Sequence, residues 1–70
     1  MRGGDNMGKQ MTVKSARIKK KLTQQELAER VGVNRQTISM IEMGVNKPSV
    51  ELAKKIGQVL KVKWYLFFED

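Results

Sequence analysis

The 70-residue chain contains no cysteine and no histidine. The first absence excludes a disulfide framework, and the two together remove the usual zinc ligand sets and the Cys or His nucleophile and base arrangements. Long apolar runs are missing as well: the longest are a few residues, against the roughly 20 a helix needs to span a bilayer. The first residues also lack the apolar stretch of a signal peptide. A cytoplasmic protein without metal or cofactor is the expectation. The few carboxylates are spread over helix starts and exposed faces with no convergent pair, which points away from an enzyme.

What the chain does have is positive charge. Lys and Arg number 14 against 7 Asp and Glu, a net charge of +7. That imbalance is the electrostatic footprint of a phosphate-binding surface. It would equally suit a ribosomal protein or a membrane-surface helix, so the motifs have to decide.

Residues 1–10 carry three glycines, few apolar residues and no periodicity, and read as a flexible tail before a single domain over 11–70. From Thr12 onward, short helical patterns alternate with stop signals, and no strand-like alternation is sustained long enough to compete. A first helix is expected over Thr12 to Lys20, with Val13, Ala16 and Arg17 facing inward. The second opens on a capping box, in which Thr23 accepts from the amide of Glu26 and the Glu26 carboxylate reaches back to the amide of Thr23. Its inward face is Leu27, Ala28 and Val31, and Gly32 stops it.

Asn34 is a natural N-cap for a third helix from Arg35 to about Met43, ending at Gly44. This helix buries Ile38 and Ile41 and leaves Arg35, Gln36, Ser39 and Met40 outside. Ser49 then caps a fourth helix with Leu52, Ala53, Ile56, Val59 and Leu60 on one stripe, and Val62 to Phe68 forms an apolar closure.

Only Gly32, Val33 and Asn34 separate the second helix from the third. Small Ala28 sits where the two must cross closely, and Val33, Ile38 and Ile41 fill the angle between them: a helix-turn-helix pattern. Through LTQQELAERVGVNRQTISMIEMG and NKPSVELAKKIGQVL the chain resembles the Cro and phage-repressor family, also called the xenobiotic-response-element type. The resemblance implies an all-α, five-helix, lambda-repressor-like domain that binds double-stranded DNA and regulates transcription, with its third helix in the major groove. It places Arg35, Gln36, Ser39 and Met40 as base readers, and Gln24, Asn34, Thr37, Asn46 and Lys47 as phosphate contacts. A guanidinium suits guanine O6 and N7, and a carboxamide suits adenine N6 and N7. Met40 stands where the family often has a polar or basic residue.

The resemblance also implies that Arg17 and Glu42 form a buried structural ion pair joining the first helix to the third. Trp64, Phe67 and Phe68 belong to the family's own core, whereas apolar Tyr65 and Leu66 stand where polar residues are tolerated. Trp64, Tyr65 and Leu66 are therefore the candidate contact of a homodimer on a pseudo-palindromic operator, unless all five close a small core. The same fold also serves antitoxins and protein adaptors, but such surfaces tend toward exposed aliphatic and aromatic residues, unlike Arg35, Gln36, Thr37 and Ser39. Lys21 stands where Gly is common, Gly57 where Ala is common, and Lys63 where a capping Asp or Ser is common. Gly57 is expected to weaken its helix by about 1 kcal/mol relative to Ala unless a close neighbour requires it.

Overall fold

The computed structural model describes residues 12–68; the tail expected over residues 1–10 lies outside them. The described residues form four α-helices and one closing 3-10 helix, with no strand among them. The order is α1 (Val13–Lys19), α2 (Gln24–Val31), α3 (Arg35–Glu42) and α4 (Val50–Leu60), followed by the 3-10 helix Trp64–Phe68. None of these helices is long and apolar enough to cross a membrane.

Each α-helix starts where a short polar side chain can take up an otherwise unpaired amide. Thr12 accepts from Ser15, Thr23 from Glu26, Asn34 from Thr37 and Ser49 from Leu52. At Thr23 the capping box is complete, with the Glu26 carboxylate accepting from the Thr23 amide at 2.8 Å. The turn between α2 and α3 rests on Gly32, whose φ of +82° lets the amides of Gly32 and Val33 both bond back to the Ala28 carbonyl. A β-carbon would strain that left-handed backbone.

Leu27, Ala28, Val31, Ile38, Ala53, Ile56 and Leu60 are buried together with Val13 and Ala16 of α1. Ile41, Leu52 and Val59, expected on inward stripes, pack on this core while keeping part of their surface. α2 lies against α3 and α4, α1 touches both α3 and α4, and the 3-10 helix packs on α4. Ala28 is fully buried, as a residue at the close crossing of the helix-turn-helix must be.

The C-terminal closure departs from expectation in two ways. Its regular part is a five-residue 3-10 helix instead of a fifth α-helix, and none of its residues is buried. Phe67 packs on the core, while Trp64 makes edge contacts with the rings of Tyr65 and Phe68 and lies under the Lys54 ammonium. Five residues in 3-10 form complete little more than a turn and a half, so the large rings cannot all point to one side. Of the five side chains Tyr65 alone is exposed, and the other four are half-buried.

Gly57 has its close neighbour. A β-carbon there would sit 2.8 Å from the Val62 carbonyl oxygen and 3.2 Å from Cβ of Trp64. The missing side chain is what lets the chain fold back after α4 and lay the closure against it.

Candidate nucleic-acid interface

α3 presents two faces of different chemistry. Ile38 lies in the core with no exposed surface, while Arg35 and Gln36 stand exposed at the helix start. The helical period sets Ile38 nearly opposite Gln36, and Arg35, nearer to Ile38 around the axis, is long enough to carry its guanidinium outward. Ser39 and Met40, one turn further on, are half-buried. Ser39 Oγ lies 3.7 Å from the Met43 sulfur, and Asn46 Nδ2 lies 3.9 Å from the Met40 sulfur.

The residues expected to hold phosphate fall into two groups. Asn46 and Lys47 are exposed on the loop between α3 and α4. Gln24, Asn34 and Thr37 are already committed to the protein. Asn34 Oδ1 accepts from both the amide and the hydroxyl of Thr37, at 3.0 and 2.9 Å. Gln24 Nε2 donates to Glu42 Oε1 at 3.0 Å, and its Oε1 accepts from Arg35 Nη1 at 3.4 Å.

Behind this surface lies the ion pair. Arg17 Nε donates to Glu42 Oε2 at 2.7 Å and Nη2 to Oε1 at 3.1 Å, while Nη1 donates to the Leu22 carbonyl at 2.7 Å. The two side chains keep 12% and 3% of their surface exposed. The pair ties α1 to the end of α3, and the Leu22 bond ties the same guanidinium to the segment before α2. It carries no groove chemistry of its own.

Sequence reasoning did not identify the Gln24 bridge or the exposure of Met43, whose surface is 70% accessible. The bridge joins residues 18 and 11 positions apart, so no local pattern announces it. Tyr65 is 45% exposed, and Trp64 and Leu66 are half-buried on the 3-10 helix. They form a continuous stretch of chain that packs on α4, whereas the α3 face is built against α1 and α2.

A helix packed across a second by way of a three-residue glycine turn, with a polar outer face on the second, defines a helix-turn-helix protein. The chain belongs to the Helix-turn-helix family, of the Cro and phage-repressor type, whose match spans residues 13–67. Over 58 residues it is 45% identical to YqaF, an uncharacterized HTH-type transcriptional regulator of Bacillus subtilis (strain 168), covering 83% of this chain and 76% of that one. Among solved structures it is similar to SinR, the master regulator for biofilm formation, in complex with DNA. That similarity has a TM-score of 0.75 at 31% identity and covers 81% of this chain and 92% of the other. The SinR protein/SinI protein complex also matches, with a TM-score of 0.75 at 30% identity over 83% of this chain; there the chain spans 57% of the matched chain's length.

Proposed function

We propose that this protein is a sequence-specific regulator of transcription that binds double-stranded DNA, reads the major groove with α3 and acts as a repressor. The observation that carries the reading is the outward face of α3, where Arg35 and Gln36 are exposed at the helix start. Both side chains have the bidentate hydrogen-bonding shape that matches purine edges, and Ser39 and Met40 extend the same face toward a hydroxyl contact and a thymine methyl. The solved structure of SinR in complex with DNA supports the same class of partner.

The anchoring groups flank that helix. Asn46 and Lys47 meet phosphate from the loop after α3, and the exposed amides at the start of α2 receive another beside Gln24. Because Asn34 Oδ1 is taken by its own helix cap and by the Thr37 hydroxyl, a phosphate there meets the Asn34 amide group, and the Thr37 hydroxyl donates to it only by turning away from Asn34. The net charge of +7 draws the protein to the duplex.

One domain of this size contacts too few base pairs to select a site in a genome, so two copies occupy one pseudo-palindromic operator. The apolar surface that Tyr65 exposes beside half-buried Trp64 and Leu66 supports the homodimer. A pair seated on adjacent turns of one groove closes the site to other proteins, and that occlusion makes repression the outcome. The protein then works in the cytoplasm, with the DNA.

Selection of bound duplexes from a random pool, followed by titration of the chosen duplex at rising salt, tests the reading. Log affinity should fall linearly with log salt as counterions are released. A flat response, or equal affinity for every sequence, overturns it. The alternative of an antitoxin or adaptor rests on the other face, the half-exposed closure, and its mark is a stable protein partner with no preference among DNA sequences.

A further inference from the structure

We infer that Lys20 and Lys21, in the turn between α1 and α2, form a clamp that holds DNA phosphate beside the start of α2. The inference rests on the proposal that α3 lies in the major groove, and it adds a backbone contact that neither α3 nor the loop after it supplies.

The start of α2 is poorly equipped to hold an anion by itself. Its capping box takes up the amides of Thr23 and Glu26, at 2.8 and 3.0 Å, and so fixes the Glu26 carboxylate at the first turn. The Gln24 side chain is engaged at both ends of its carboxamide. A phosphate arriving here meets a negative charge, and opposite charge close by must outweigh it.

Lys20 and Lys21 supply that charge. Both are exposed, and Arg17–Glu42 is the one ion pair among the described residues, so no described carboxylate is matched to either ammonium. The turn that carries them is tightly held. The Lys20 amide donates to the carbonyls of Ala16 and Arg17, the Lys21 amide to Ile18, and the Leu22 amide to Arg17, while Arg17 Nη1 donates to the Leu22 carbonyl at 2.7 Å. Lys21 stands three positions before Gln24, a span of at most about 11 Å.

The helical period separates these two lysines from their neighbour. Lys20 and Lys21, three and four positions after Arg17, continue the side of α1 on which Arg17 meets Glu42 of α3; Lys19, two positions after it, falls on the opposite side. Lys21 also has a φ of 60°, a left-handed backbone that glycine would adopt without strain. What the lysine adds to the turn is its charge.

Single methylphosphonate substitutions in the selected duplex, which remove one phosphate charge at a time, test the clamp. Lys20→Gln and Lys21→Gly should each lower the slope of log affinity against log salt by about one and make about one phosphate insensitive to substitution, with base preference intact. Lys21→Gly relieves strain, so its melting temperature should rise while its affinity falls, and the loss cannot come from unfolding. Lys19→Gln and Lys61→Gly, which remove a charge elsewhere, should leave the pattern of sensitive phosphates as it is in the wild type. An unchanged pattern and slope in the two turn variants overturn the clamp. The same changes in Lys19→Gln or Lys61→Gly also overturn it, by reducing the effect to one of net charge. Phosphates lost in the turn variants of a protein without base preference support the clamp and locate the failure in the reading by α3.

Discussion

Arg17 and Glu42, 25 positions apart in the chain, meet through two hydrogen bonds of 2.7 and 3.1 Å with almost no exposed surface. A pair so placed gains little over an apolar replacement, but it is costly to break from one side. Arg17→Ala strands the Glu42 carboxylate with Gln24 as its remaining partner, and should cost about 3 to 5 kcal/mol in urea unfolding. That is a large share of the stability of a small domain. Arg17→Met combined with Glu42→Leu should recover most of the loss. A double variant as unstable as the single one would show that the charges, and not merely their mutual satisfaction, hold α1 to α3.

Gly57 reverses an ordinary rule. In an exposed helix interior, Gly→Ala stabilises by about 1 kcal/mol. Here the new β-carbon would lie 2.8 Å from the Val62 carbonyl oxygen, a backbone atom that cannot move without shifting the whole closure. Gly57→Ala should therefore lower stability by about 1 to 3 kcal/mol. A rise in melting temperature on this substitution would mean that the turn after α4 yields more easily than its geometry indicates.

Two lysines stand in left-handed backbone, Lys21 and Lys61, each with φ of 60°. That conformation brings a β-carbon close to the neighbouring carbonyl and costs roughly 1 to 2 kcal/mol for a residue other than glycine. Glycine relieves the strain but loses more chain entropy on folding. Lys21→Gly and Lys61→Gly should each gain about 0.5 to 1 kcal/mol in thermal unfolding. Lys21→Ala and Lys61→Ala, which remove the charge and keep the strain, serve as controls and should gain nothing.

The starts of α2, α3 and α4 were readable because a cap involves residues three apart, as with Thr23 and Glu26, or Asn34 and Thr37. The inward stripes were readable because Leu27 with Val31, Ile38 with Ile41, and Ile56 with Leu60 repeat at helical spacing. What was hidden depends on residues that meet only after folding. Nothing local to Gln24 says that Glu42 and Arg35 will take both ends of its carboxamide. Likewise Trp64 and Phe68 are large and apolar, yet a single 3-10 helix at the chain's closure lacks the length to bury both.

The division between readers and anchors makes its own prediction. Arg35→Ala or Gln36→Ala should cost about 1 to 3 kcal/mol on the selected duplex and relax preference at individual base pairs. Lys47→Ala should weaken every duplex alike and flatten the salt dependence by about one phosphate contact. Affinities on matched and mismatched duplexes decide between them. Unchanged base preference in both α3 variants would remove α3 from the reading role.

Tyr65 is 45% exposed, and Trp64, Leu66, Phe67 and Phe68 are each only partly covered, so this short segment leaves apolar surface facing water. A second copy is the partner that would supply both a cover for it and a second reading helix. In that arrangement the half-sites lie about 34 Å apart, one turn of DNA. Tyr65→Lys with Leu66→Glu puts a charge of each sign on the contact, at positions outside the buried core. Folding should therefore survive while pairing is lost. Sedimentation with and without the selected duplex should give two copies per duplex for the wild type and one, more weakly held, for the double variant. One wild-type copy on an asymmetric site, or a double variant that assembles as well as the wild type, would mean that this surface serves something other than the dimer.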